Sequence, residues 1–156
     1  MVETTTPTTA TQTGVRSWRP LRIMIVVTLV LITLQVALGE IVGAGGNYPS
    51  TGTPINSIGD LITAMSNAAG PMIFVHVGNG LLILIAALGT LFLALRYHKR
   101  SETTAVVLGF VAVILALLGG YVFADSDFQN GGGIILMVNS ALGAYAFFFL
   151  ALYYTK

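Results

Sequence analysis

The stretch Pro71–Arg100, PMIFVHVGNGLLILIAALGTLFLALRYHKR, decides the fold. It runs from Pro71 to Leu95 without a Lys, Arg, Asp or Glu, then ends in Arg96, Lys99 and Arg100. At 1.5 Å of rise per residue, about 20 apolar residues cross the ~30 Å hydrocarbon core of a bilayer. Lipid offers the backbone no hydrogen-bond partner, so such a run must be helical. Lys and Arg beside a span are retained in the cytoplasm, so the basic end marks the inner side.

Three further runs repeat this pattern. The expected spans are residues 23–43, 71–97, 104–123 and 133–154. All seven basic residues fall on one side of them: Arg16, Arg19 and Arg22 before the first, Arg96, Lys99 and Arg100 between the second and third, and Lys156 after the fourth. The opposite connections carry only acids, Asp60 in one and Asp125 and Asp127 in the other. This sorting predicts a multi-pass protein of the cell membrane with both termini cytoplasmic. Short connections at 98–103 and 124–132 make neighbouring helices antiparallel. The fold class is therefore an all-α, four-helix transmembrane bundle occupying residues 21–156.

Composition agrees. Of 156 residues, 55% are hydrophobic and only 8% charged, against about 25% charged in a soluble domain. The net charge of +1 gives no ground for a nucleic-acid partner; the sidedness of the charges, not their sum, is informative. No cysteine is present, which excludes disulfides, thiolate metal sites and a cysteine nucleophile. Residues 1–20 open with MVETTTPTTATQTG and read as a disordered, Thr-rich cytoplasmic tail. Trp18, Tyr97, Tyr153 and Tyr154 mark the inner interface, and Tyr48, Tyr121 and Phe128 the outer one. In the long outer loop, Ser57–Ser66 (SIGDLITAMS) has a capping serine and helical spacing of apolar residues, which predicts a short interfacial helix.

The two hairpins resemble each other. Leu38–Val42 (LGEIV) parallels Leu118–Val122 (LGGYV), and Val75–Gly80 (VHVGNG) parallels Val138–Gly143 (VNSALG). A repeat of this kind is related by an axis along the membrane normal.

Polar groups inside a bilayer are expensive and so are candidates for function. Glu40, His76 and Asn139 lie at similar depth, roughly 5–9 Å inside the outer helix ends at 1.5 Å per residue. They are expected to converge on one outer cavity. Asn79 lies one turn below His76 on the same face, and Gln35 sits deeper on the first helix. Each has a structural alternative: Asn139, Gln35 and His76 as interhelical hydrogen-bonders, and Glu40 as a group that reaches outer water. The inner halves read as a dry, aliphatic plug. Small residues, namely Gly39 with Gly43, Gly78 with Gly80, and Ser140 with Ala144, permit close helix approach.

The string Leu34–Val42 (LQVALGEIV), followed by a Gly-rich loop and then Phe74–Asn79 (FVHVGN), resembles the heme A synthase family. There a Leu-Gln…Leu-Gly pattern closes one helix and a histidine opens the next; the likeness covers residues 23–154. It implies one half of the family's eight-helix enzyme, which oxidises a methyl group of heme O to a formyl group for terminal oxidases. By that resemblance His76 would ligate heme iron, as in a heme b site, and Glu40 would stand near the family's catalytic outer carboxylate. The chain also departs from the family. Asn139 replaces the fourth-helix histidine, Gly43 stands where a basic residue is usual, and the loop cysteine pair is missing. A second axial ligand would have to come from Met137, since thioethers ligate heme iron, or from His76 of a second copy in a homo-oligomer.

Two functional readings follow: a heme-handling protein with a site at His76, Met137 and Asn139, or a non-catalytic accessory subunit of a larger membrane complex, respiratory by the same resemblance. A proton-relay transporter using Glu40 and His76 ranks behind both, because no titratable residue lies between Gln35 and the cytoplasmic end.

Overall fold

A computed structural model describes residues 18–45, 57–69, 71–97, 99–126 and 128–155. Of the expected tail, residues 1–20, Arg19 and Pro20 belong to α1 instead, while residues 1–17 and the loop stretch 46–56, with Tyr48, lie outside the described residues. Five helices follow in order: α1 (Arg19–Gly45), α2 (Ile58–Ala69), α3 (Pro71–Tyr97), α4 (Arg100–Asp125) and α5 (Gly131–Tyr154). Four of them, α1, α3, α4 and α5, are long and apolar enough to cross a membrane. The chain is a multi-pass membrane protein built as a four-helix bundle.

Helix boundaries follow local chemistry. Pro20 sits in the first turn of α1, where an amide proton has no intrahelical acceptor. Ser57 Oγ accepts from the Asp60 amide at 3.1 Å and caps α2. Asn130 caps α5 through a 2.9 Å bond from the Gly132 amide to its side-chain oxygen. Between α4 and α5 the chain turns through Phe128, which has φ 63° and donates its amide to the Phe123 carbonyl at 3.0 Å. Its ring is buried edge-on against Phe123 at 5.5 Å between centroids. Phe128 thus closes the α4–α5 turn at the end expected for it, with its ring packed inward.

The spanning helices form a ring. α1 packs on α3, α3 on α4, α4 on α5 and α5 back on α1, while α2 rests on α3 and α4. The inward residues are small or medium: Ile25, Thr28 and Ile32 of α1, Ala87 and Ala94 of α3, Ala105 and Val106 of α4, Ala144 and Ala151 of α5. One large ring, Phe148, fills a notch opposite Gly109, where an added Cβ would come within 3.1–3.2 Å of it. The big aliphatic and aromatic residues instead cover the outside, as with Ile85 at 66%, Phe92 at 64% and Ile135 at 63% exposure. That inversion suits lipid, where packing rather than water exclusion joins helices.

The closest approach is between α4 and α5. A Cβ on Gly119 would lie 2.6 Å from the Met137 nitrogen, and one on Gly133 would lie 2.7 Å from the Phe123 nitrogen. Each glycine therefore admits the backbone of the opposite helix. Mid-bundle, Thr28 and Thr90 join α1 to α3 through a buried 3.2 Å hydroxyl pair. Each hydroxyl also lies 2.8 Å from the carbonyl four residues earlier in its own helix, Met24 for Thr28 and Ala86 for Thr90. This threonine pair is a polar exception in the largely aliphatic inner half expected from sequence.

At the end where α1 begins and α5 finishes, Trp18 stacks on Tyr97 at 4.7 Å and Lys99 Nζ lies 4.5 Å over the indole. Lys99 also pairs with Glu102 at 3.3 Å, and Ser101 Oγ donates to the same carboxylate at 3.0 Å. Glu102 is 2% exposed and lies in the first turn of α4, where a negative charge is favoured by the helix dipole. This cluster fastens the start of α1, the end of α3 and the start of α4.

Candidate functional site

Near the opposite end, three polar side chains meet between α1 and α3. Their hydrogen bonds form a directed chain whose polarity can be worked out from its fixed end. The Leu31 carbonyl can only accept, so Asn79 presents its amide nitrogen there, at 3.0 Å. The same nitrogen donates to Gln35 Oε1 at 2.8 Å. With its oxygen committed to Asn79, Gln35 turns its own NH2 toward His76, whose Nε2 lies 3.0 Å away. That ring nitrogen must then be the acceptor, which places the imidazole proton on Nδ1.

Glycines make the space. A Cβ on Gly39 would stand 3.3 Å from His76 Cε1 and 3.9 Å from Nδ1, so this edge of the ring packs against α1 at Gly39. A Cβ on Gly80 would come within 3.5 Å of Gln35 Nε2. Asn79 is itself 5% exposed. His76 Nδ1 is buried and has no hydrogen-bond partner among the described residues. Leaving a donor so costs about 1–3 kcal/mol, which offsets much of what the chain of bonds contributes.

The other expected site residues lie elsewhere. Glu40 and Asn139 are exposed on the outer surface of the bundle, so the cavity expected to join them to His76 does not form. The reason is rotational: similar depth along parallel helices says nothing about which way each side chain points. Glu40 lies five residues before the end of α1, within about 8 Å at 1.5 Å per residue. A long carboxylate there snorkels to the interface. Met137 is half-buried against α4, its sulfur near the position of a Gly120 Cβ at 3.6 Å. It therefore does not stand opposite His76 as an axial ligand would.

A heme needs an imidazole lone pair aimed into ring-sized space. In His76 the Nε2 lone pair is taken by Gln35, and the protonated Nδ1 is covered by α1. With Met137 and Asn139 turned away, the residues do not fit a heme in this arrangement. The sequence singled out Gln35 and Asn79 as polar but not as the partners of His76. The signal was available: Gln35 and Gly39 are one turn apart on α1, as His76 and Asn79 are on α3.

Searched against known proteins, the chain matches no family model, no curated protein and no solved structure.

Proposed function

We propose that the chain is a non-catalytic accessory subunit of a larger membrane complex, in which the histidine position of a heme-handling bundle serves as a helix clamp. The observation that carries this reading is the directed chain Leu31–Asn79–Gln35–His76, which engages His76 Nε2 and turns Nδ1 toward α1. Of the remaining candidates, Met137 packs against α4, and Glu40 and Asn139 lie on the outer surface, where they can serve contacts but not a shared reaction centre.

The test is an absorption spectrum of protein purified from heme-replete cells, alongside identification of the subunits that travel with it. The expected result is a preparation without a Soret band that retains partner subunits. A Soret band that disappears in His76→Ala would overturn the reading and restore His76 as an axial ligand.

The proposed orientation keeps both termini in the cytoplasm, with the bundle in the cell membrane. It is supported by the gathering of Arg19, Arg22, Arg96, Lys99 and Arg100 at one end of the bundle. Since the chain has no cysteine, single cysteines report cleanly. One at Gln129 should react with an impermeant thiol reagent from outside and one at Ser101 should not; the reverse labelling would invert the topology.

A further inference from the structure

We infer that the outer face of α5 is a helix-pairing seam for a second copy of this chain, registered by Asn139. This inference deepens the accessory-subunit reading and rests on it, since it treats the outward polar group as an association device.

The buried residues of α5 are Gly133, Ser140, Ala144, Phe148 and Ala151. Directly across the helix from them run Ile135, Asn139, Leu142, Ala146 and Phe149, all exposed. Their spacing is four, three, four, three, the alternation of a coiled-coil seam. Ile135, Leu142 and Phe149 are 63%, 57% and 58% exposed, so the bundle leaves this stripe uncovered. Asn139 interrupts it and has no hydrogen bond to any described residue.

Depth makes that isolation costly. Asn139 is eight residues into α5, about 12 Å from its end at 1.5 Å per residue. The 24-residue helix exceeds a ~30 Å core by only a few ångströms at each end. The amide therefore lies several ångströms inside the hydrocarbon, beyond the reach of a two-carbon side chain to water, and lipid cannot satisfy it.

A second copy supplies what the amide lacks. Two chains inserted with the same topology carry Asn139 at the same depth without any further adjustment. Related by a two-fold axis along the membrane normal, they present the same seam to each other. A carboxamide is both donor and acceptor, so two facing Asn139 side chains can exchange a reciprocal pair of hydrogen bonds. Any other partner would need its own polar residue at that depth. An asparagine at one seam position is also what fixes register in paired helices, and the apolar positions on either side form the packed flanks.

The experiment is disulfide scanning of the full chain in native membranes, which the absence of cysteine permits. Single cysteines at Ile135, Leu142 and Ala146 should give cross-linked dimers on mild oxidation. Cysteines at Leu136 and Tyr145, exposed but well around the helix, should not, because disulfides need Cα atoms within about 7 Å. Replacing Asn139 with Leu should weaken dimerisation roughly three- to twentyfold, the range spanned by measured interhelical side-chain hydrogen bonds in membranes. Equal cross-linking at seam and off-seam positions, no cross-linking at any seam position, or an Asn139→Leu dimer as tight as wild type would each overturn the inference. Failure here with partner subunits still co-purifying would leave the accessory role intact. A Soret band lost on His76→Ala would remove that role whatever the cross-links show.

Discussion

Replacing Gly119 with alanine forces α4 and α5 apart. The added Cβ would stand 2.6 Å from the Met137 nitrogen, 2.9 Å from the Gly133 oxygen and 3.0 Å from the Met137 Cα. All three are backbone atoms of a helix, so none can swing aside as a flexible side chain would. Ordinary contact begins near 3.4 Å, so the helices must separate locally by about 0.8 Å. A gap of that size forfeits roughly a quarter to a half of each dispersion contact it opens. In lipid, dispersion is the main force joining helices, and α4–α5 is the most extensive pairing in the bundle. Overpacking costs about 1–3 kcal/mol, and the rigidity of the obstacle puts this site in the upper half of the range. The better helix propensity of alanine returns up to about 1 kcal/mol. A net loss of about 1–2 kcal/mol is expected in equilibrium unfolding in mixed micelles. Gly78→Ala, with nothing within 4 Å of its added Cβ, is the matched control and should be neutral or stabilising. Gly133→Ala meets the same obstacle from the other side, 2.7 Å from the Phe123 nitrogen. Once one methyl has parted the helices the second enters the same gap, so the double mutant should lose less than the sum of the singles. A Gly119→Ala protein as stable as Gly78→Ala, or strict additivity of the two α4–α5 substitutions, would refute the argument.

Gln35→Leu should cost about 1–2 kcal/mol, near the upper end for membrane hydrogen bonds, because it strips a partner from both Asn79 and His76; unfolding in the same micelles checks this, and a loss no larger than that of Thr33→Val on the exposed face of α1 would show that the clamp contributes nothing. Glu102→Gln keeps side-chain size but removes the charge that pairs with Lys99, itself 53% exposed. That half-exposed pairing should make the loss small, below about 1 kcal/mol, and smaller still at high salt. A loss above 3 kcal/mol, independent of salt, would mean the carboxylate holds the α1–α3–α4 junction by something other than this ion pair.

Much of the architecture is legible in the amino-acid sequence. Four runs of adequate length, the one-sided placement of Lys and Arg among the described residues, and Ser57 ahead of α2 all survive in the structure, because each depends on local sequence and on the solvent. A bilayer forces an apolar run to be a helix whatever its neighbours do. The site was legible only in part. Depth along a helix is a count of residues, so Glu40, His76, Gln35 and Asn139 could be ranked by level. Rotation about the helix axis depends on which helix stands beside which, and that ring order is tertiary. In an all-apolar span the hydrophobic pattern has no polar face to reveal it.

The same reason explains what sequence reading missed. Gly119 and Gly133 matter because two backbones meet there, and nothing distinguishes them beforehand from Gly43 or Gly78, which face open space. Glu102 fell unremarked in the expected 98–103 connection, but α4 begins at Arg100 and carries it inward. The amino-acid sequence alone determined that this protein crosses a membrane four times and which ends of its helices lie together, since transfer into lipid is decided segment by segment. Only the packed bundle decided that His76 turns into α1 while Asn139 turns outward, since a side chain's neighbours are set by helix rotation, and rotation by close packing against other helices.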